Sequence, residues 1–214
     1  MGAHSVVTTT DLALQCRCGA VRGVAVVSPR AGNHAVCYCD DCQAFAHFLG
    51  RANDVLDANG GTDIFQMSPA GLKLTAGVER VACIRLSSKG LLRWYASCCN
   101  TPIGNTMARS GVPFIGLIRA FAREPAGAAL GPIRGRSFLH RAKGDQTAIP
   151  KGGSPAFVMI LRIVGSILRW RLRGDHRRSP LFDATTGQPL ATPRVLRDSE
   201  RADLRQRSAT WRSP

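Results

Sequence analysis

The cysteines are the residues of this sequence whose type and spacing could do chemistry. Seven of the eight lie in three clusters: Cys16-x-Cys18, Cys37-x-Cys39-x-x-Cys42 and Cys98-Cys99. In an extended segment, residues two apart point to the same face, so both sulfurs of a Cys-x-Cys pair can reach one metal ion. Zinc takes four thiolate or imidazole ligands in a closed structural site and fewer protein ligands in an open, catalytic one. The clusters therefore predict metal binding.

The middle cluster offers three ligands at the start of a predicted helix, which begins at Asp40 or Asp41 and extends to Leu49. Either aspartate could cap that helix. The N-terminus of a helix carries partial positive charge, which stabilises the net negative charge of a zinc ion held by three thiolates. Buried core cysteines and disulfides are the alternative interpretations of the clusters. Cys83 stands alone in an apolar stretch and is predicted to be a core residue.

The ordered pattern resembles the glutathione-dependent formaldehyde-activating enzyme family, which also includes centromere protein V. The resemblance covers residues 15–105 and is carried by three motifs: Cys16-x-Cys18-Gly19, Cys37-x-Cys39-x-x-Cys42 and Trp94-Tyr95-x-x-x-Cys99-Asn100-Thr101-Pro102-Ile103. It implies a mainly β fold of the β-tent type, with small antiparallel sheets organised around zinc. In this chain a helical C-terminal extension is predicted to follow.

The same resemblance implies two zinc sites. A closed structural site would use Cys16, Cys18 and Cys99, and an open site would use the three cysteines of the middle cluster, Cys37, Cys39 and Cys42. We expect Cys98 to be the fourth ligand of the structural site. Adjacent side chains diverge in extended backbone, so this requires a turn. A structural site with three ligands is the alternative.

Three positions depart from the family pattern. Ala96 stands where the first late cysteine of the family is expected, and Asn100 replaces the usual glycine. Asparagine tolerates a left-handed backbone better than most residues. Tyr38 replaces the histidine that is common between the first two middle cysteines, so no role of that histidine transfers to this chain.

The implied chemistry is the addition of a small thiol such as glutathione to an aldehyde carbon, or its reversal, which is a carbon–sulfur lyase type of reaction. Arg17, Arg22 and Arg93 lie near the clusters in sequence and are candidates to pair with carboxylates of such a thiol. Two other functions stay open. One is a non-enzymatic zinc-stabilised module that binds nucleic acid or protein. The other is a thiol redox protein that uses Cys98 with Cys99, or Cys37 with Cys42.

Short strands separated by turns are predicted to position the cysteines. The predicted strands cover residues 20–27, 34–37, 63–67, 80–86, 91–96 and 114–118. We expect a zinc-binding domain over residues 12–121 and a connector rich in Gly and Pro over 122–153. A basic helical extension and tail over 154–214 would complete the chain, with a short helix near 199–206.

One predicted helix of the extension has clear ends. Ser154 is its expected N-cap, Pro155 lies in its first turn and Gly174 follows its last turn. Its apolar face is wide, which predicts docking on a neighbouring core. A helix lying on a membrane surface is the alternative, because arginines border the apolar positions.

Charge and targeting signals complete the sequence prediction. The chain of 214 residues has 29 Lys plus Arg against 14 Asp plus Glu, a formal net charge of +15. The arginines are dispersed and aromatic residues are few, so a nucleic-acid partner is not favoured. Residues 1–15 lack the basic and apolar regions of an export signal, and no apolar run is long enough to span a membrane. These features predict a cytoplasmic protein.

Overall fold

Eleven β-strands in two sheets form the framework of residues 9–213, the part of the chain that this computed structural model describes. The strands are β1 Thr10–Gln15, β2 Arg22–Val27, β3 Asn33–Cys37, β4 Thr62–Met67, β5 Leu72–Ala76, β6 Val81–Arg85, β7 Leu92–Ala96, β8 Thr101–Thr106, β9 Ile115–Ile118, β10 Gly135–Ser137 and β11 Arg194–Val195. The smaller sheet is antiparallel, with strand order β1-β2-β5. The predicted lack of an export signal concerns residues 1–15, of which 1–8 lie outside the described residues.

The larger sheet has eight strands in the order β10-β3-β4-β9-β8-β7-β6-β11. Its inner strands pair antiparallel, whereas β10 joins β3 and β11 joins β6 in parallel. The mainly β class is confirmed for the described residues. The expectation of small antiparallel sheets is wrong for this sheet, because segments from the predicted connector and extension add a parallel strand at each edge. The domain boundaries stay a prediction.

Five α-helices are described in residues 9–213: α1 Asp40–Phe48, α2 Ala52–Val55, α3 Gly127–Leu130, α4 Ala156–Leu172 and α5 Asp198–Thr210. Helix α5 packs on α1, where the Ser208 hydroxyl donates to Gln43 Oε1 at 2.9 Å. Within the described residues, no helix is long and apolar enough to cross a membrane.

The core lies on both faces of the larger sheet. On one face, buried residues of β6–β9, including Trp94 and Ile103, pack with Leu14 and Ala25 of the smaller sheet. On the other face, Ile84 and other residues pack against α1 and α5. The resulting layers hold β3 and α1 together, and the chain between these two elements carries the middle cysteine cluster.

Helix α4 lies beside β10 at the edge of the larger sheet. Its N-cap is Pro155, without a side-chain cap, so the expected Ser154 cap is wrong by one residue. Gly174 follows the last turn of the helix, as predicted, and its backbone is left-handed at φ 74°. A Cβ on Gly135 of β10 would lie 1.9 Å from Met159 Sδ, so any larger residue would require the Met159 side chain to move.

Docking covers only one side of α4. Trp170 is buried and Met159 is half-buried, but the apolar residues of the opposite side are each more than half exposed: Phe157, Leu161, Val164, Leu168 and Leu172. The helix therefore docks by one side, as predicted, while its other apolar side stays exposed. Periodicity identifies the residues that share a face, but it does not supply enough neighbouring surface to cover them.

Candidate metal centres

The first and last cysteine clusters meet in space and form a group of four sulfurs, here called the tetrad. It consists of Cys16, Cys18, Cys98 and Cys99, whose sulfurs all lie within 4.8 Å of one another. The Cys18 and Cys98 sulfurs are 3.3 Å apart, those of Cys16 and Cys18 3.5 Å, and those of Cys16 and Cys98 3.8 Å. A tetrahedral zinc ion with Zn–S bonds of about 2.3 Å requires sulfurs about 3.8 Å apart. The tetrad fits a closed four-thiolate site.

Two turns bring the tetrad together. After β1 the chain turns through Gly19, φ 78°, and the Val21 N–H donates to Cys16 Sγ at 3.2 Å. After β7 it turns through residues 97–100, with Asn100 left-handed at φ 55°. The second turn directs both Cys98 and Cys99 to the tetrad, which adjacent residues of a strand could not achieve. Ala96 lies before the turn, buried at the end of β7.

The tetrad resists holding several negative charges without a cation. Burial and the neighbouring cysteines raise the pKa of Cys98 to about 12. Burial also raises the pKa of Cys99, but hydrogen bonds have the larger effect and lower this pKa to about 6. The hydrogen bond with Thr101 contributes most to the lowering. One thiolate therefore forms readily and the next is opposed by like charge. A divalent cation removes that opposition, because thiolate ligands bind it as anions.

The middle cluster forms a second group, here called the trio: Cys37, Cys39 and Cys42, with sulfurs within 4.8 Å of one another. Cys37 ends β3, Cys39 is the N-cap of α1, and Cys42 lies in the first turn of that helix. The Cys42 N–H donates to Cys39 Sγ at 3.4 Å. A cysteine therefore caps this helix, and the expected Asp40 or Asp41 cap is wrong. Both aspartates lie in the first helical turn.

The trio also favours one thiolate and opposes more. Hydrogen bonds from Cys39 and Cys42 lower the pKa of Cys37 to about 3. The contact with Cys37 raises the pKa of Cys42 to about 11 and also raises that of Cys39. The three sulfurs lie close enough to bind one metal ion, and a cation would relieve the repulsion between their thiolate charges. Three ligands would leave one coordination position of a tetrahedral ion open.

Arg93 of β7 is the cation next to the trio, and its side chain is 2% exposed. Its guanidinium donates to Asn105 Oδ1 at 3.2 Å and Asp41 Oδ2 at 3.3 Å, and it lies 3.9 Å from Cys42 Sγ. Burial alone would lower the pKa of Arg93, but the charges of Cys42 and Asp41 raise it, so the group stays a cation. Of the three candidate arginines, only Arg93 lies at this site. Arg17 lies in the turn beside the tetrad, and Arg22, the first residue of β2, donates to the Gly19 carbonyl of that turn.

A cavity of about 960 Å³ opens at the trio and is lined by all three of its cysteines. Two other parts of its wall come from residues 136–141 and from α4. Sequence reasoning missed both parts, because the first was assigned to a connector and the second to an extension. The only signal for the first was the run of basic residues that includes Arg136 and Arg141.

Two further residues of the predicted pattern lie outside the two groups. Cys83 is buried in the main core, where it pairs across the sheet with Trp94, in agreement with the prediction of a core cysteine. Tyr38 is buried between Cys37 and Cys39, and its hydroxyl donates to Asp57 Oδ2 at 3.1 Å. Burial raises the pKa of Tyr38 to about 12, so the phenol stays neutral.

Comparison with known proteins assigns the chain to a family. A family model described as a family of unknown function, DUF6151, matches residues 8–193. The chain belongs to this family. The matched region contains all eight cysteines, the cavity and α4. No curated protein matches the chain significantly. Because the family description names no activity, the function is argued from the two groups of cysteines.

Proposed function

We propose that the protein binds two zinc ions and acts on a small thiol, or on the adduct of a thiol with an aldehyde, in a carbon–sulfur lyase type of reaction. The tetrad would be the structural site and the trio the reactive one. The observation that carries this proposal is the position of the trio: three sulfurs that could share one ion line a cavity large enough for a ligand.

Ligand chemistry supports zinc at both positions. Thiolates are soft ligands that favour zinc, copper(I) or iron–sulfur clusters over hard cations such as magnesium. Four thiolates match a structural zinc site, and three with a vacant position match a catalytic one. The resemblance of the cysteine motifs to the glutathione-dependent formaldehyde-activating enzyme family favours the same metal and the same division of roles.

The reaction balances without an oxidant or a reductant. The sulfur electron pair forms the bond to the aldehyde carbon, the carbonyl π pair moves to oxygen, and the proton lost by the thiol ends on that oxygen. Zinc would supply Lewis acidity, which favours the thiolate form of the substrate at neutral pH. Arg93 and the N-terminus of α1 place positive charge next to the three sulfurs and stabilise the anionic site.

Thiol binding tests the proposal. In full-length protein substituted with Co²⁺, the sulfur-to-metal charge-transfer bands of the absorption spectrum report which thiols coordinate the metal. We expect 2-mercaptoethanol and glutathione to add a band, and we expect Cys39→Ala to abolish that response. Cys83→Ala is the matched control, since Cys83 belongs to neither group, and it should respond like the unmodified protein. Absence of any thiol response in the unmodified, metal-loaded protein would refute the proposal.

The catalytic part has its own measurement. NMR exchange spectroscopy gives the rate at which glutathione and formaldehyde interconvert with their adduct. We expect the zinc-loaded protein to accelerate this exchange, and Cys39→Ala to lose the acceleration while Cys83→Ala keeps it. If a thiol binds at the trio but the protein does not accelerate the exchange, the protein binds thiols without catalysis and the lyase proposal is refuted.

A further inference from the structure

The cavity at the trio has a largely apolar lining, and nothing in the proposed reaction explains it. Residues from four parts of the chain contribute to this lining: Ile64, Phe114, Phe138, Met159, Ile160 and Ile163. Three of the six belong to α4, where Met159 lies close to Gly135 of β10. At about 960 Å³ the cavity lies near the upper end of the range of ligand sites, about 300–1,000 Å³.

Two residues of this lining keep more than half of their surface exposed to solvent. Phe138 is 53% exposed and Ile160 is 59% exposed. Phe138 also has a left-handed backbone, φ 59° and ψ 39°, which is unfavourable for a bulky side chain. Strained residues of this kind occur at ligand-binding positions, where the surrounding structure maintains them.

We propose that the ligand of the trio is a thiol with an apolar chain or ring, whose sulfur lies at the three cysteines and whose apolar part covers the α4 residues of this lining. This inference rests on the proposed function and narrows its substrate class. The arms of glutathione carry carboxylates, amides and an ammonium group, so they would leave the apolar lining in contact with water. An apolar chain removes that surface from water, which is favourable in proportion to the area covered.

The test varies the length of the alkyl chain of the thiol. In Co²⁺-substituted full-length protein, we expect the affinity for straight-chain thiols, from ethanethiol to hexanethiol, to rise about fourfold for each added CH₂. Ile160→Asn should flatten this dependence, because Ile160 lines the cavity. Leu172→Asn is the matched control on the same helix, since Leu172 is 81% exposed and lies outside the cavity lining.

Failure of this inference differs from failure of the proposed function. If every thiol coordinates with the same affinity, or glutathione binds more tightly than hexanethiol, the apolar substrate class is wrong and the thiol site stands. If Leu172→Asn flattens the dependence of affinity on alkyl length as much as Ile160→Asn does, the alkyl chain of the thiol does not lie in this cavity. If no thiol changes the Co²⁺ spectrum, both proposals fail.

A second inference comes from the side of α4 that faces away from the cavity. Phe157, Leu161, Val164, Leu168 and Leu172 are spaced by three or four residues and are each more than half exposed. Exposed apolar surface of this extent marks an interaction site. Residues 146–174 contain no Asp or Glu, and their basic residues include exposed arginines at 169, 171 and 173.

We infer that this face of α4 lies on an anionic lipid surface. Apolar side chains bordered by arginines match the boundary between acyl chains and anionic headgroups. A second copy of the chain fits less well. In a two-fold symmetric contact each partner presents the same face, and residues 146–174 offer no carboxylate to pair with the arginines.

Vesicle flotation tests this assignment. We expect the full chain to bind phosphatidylcholine vesicles that contain phosphatidylserine, to bind pure phosphatidylcholine at least tenfold less, and to be released by added salt. Leu161→Asn combined with Leu168→Asn should abolish binding. Val26→Asn, at an exposed valine of β2, is the control and should bind normally. Absence of binding to the anionic vesicles, or a dimer in solution that the double variant dissociates, would overturn the inference.

Discussion

Replacing Arg93 with methionine should weaken metal binding at the trio by roughly 30-fold. The side chain is buried and its Nη1 lies 3.9 Å from Cys42 Sγ. Two full charges at that distance attract by about 4 kcal/mol at an effective dielectric constant of about 20. Three thiolates and one dication carry a net charge of −1, which is spread over three sulfurs, and two of them lie farther from Arg93 than Cys42 does. The attraction between Arg93 and the metal-loaded trio is therefore about half of that value, about 2 kcal/mol, which corresponds to roughly 30-fold in affinity.

Methionine keeps most of the buried volume and removes only the charge and its hydrogen bonds. Asp41, the ion-pair partner, has a side chain 59% exposed, so water solvates it after the change. The expected loss agrees with the effect of other groups that support metal ligands, about 10- to 100-fold. Arg93→Lys keeps the charge and should recover part of the affinity.

The assay is competition for zinc against a chromophoric chelator, fitted to two sites, with Cys39→Ala used to assign the trio. Arg85→Met is the matched control. Arg85 lies on the neighbouring strand β6 and donates to the Gly90 carbonyl, outside the cavity lining, so the change should alter affinity less than twofold. Unchanged affinity in Arg93→Met, or an equal loss at the tetrad, would refute the electrostatic argument.

Two further predictions concern stability. Gly135→Ala would place its Cβ 1.9 Å from Met159 Sδ and should destabilise the protein by about 1–3 kcal/mol in urea unfolding. The double variant with Met159→Ala should recover most of that loss, and no recovery would show that the helix contact is not the cause. The second concerns His34, whose pKa is lowered by burial but raised more by its 2.7 Å contact with Asp63, so that the net shift is upward. The stabilisation is therefore fully present below the ordinary pKa of 6.5 and is lost as pH rises through the higher folded value. His34→Asn should cost more stability at about pH 6 than at about pH 9, and a cost independent of pH would contradict this.

The strands that sequence patterns predicted are those with many Val, Ile and aromatic residues. All six predicted strands are present, with ends that differ by at most two residues. Five strands were not predicted: β1, β5, β8, β10 and β11. One of them, β8, Thr101–Thr106, contains Pro, Gly and Asn, which disfavour strands. It forms because β7 and β9 pair with it on both sides, and every one of its residues is buried. Its stability comes from tertiary contacts that local propensity does not encode.

The sites were predictable in part. Spacing alone indicated the trio, since its three cysteines lie within six residues of the chain. The tetrad joins cysteines about 80 residues apart, and only the family resemblance paired them. The turn through Asn100 that directs both Cys98 and Cys99 inward depends on a single left-handed residue. The cavity walls could not be predicted, because residues 136–141 and α4 reach the trio only through the folded sheet.

Metal analysis of the full-length protein, purified without chelators, tests the central claim most directly. We expect about two zinc ions per chain, one for each group of cysteines. Cys39→Ala should lose the ion of the trio and Cys99→Ala that of the tetrad, while Cys83→Ala keeps both. Protein without bound zinc, or full zinc content in both Cys39→Ala and Cys99→Ala, would contradict the account.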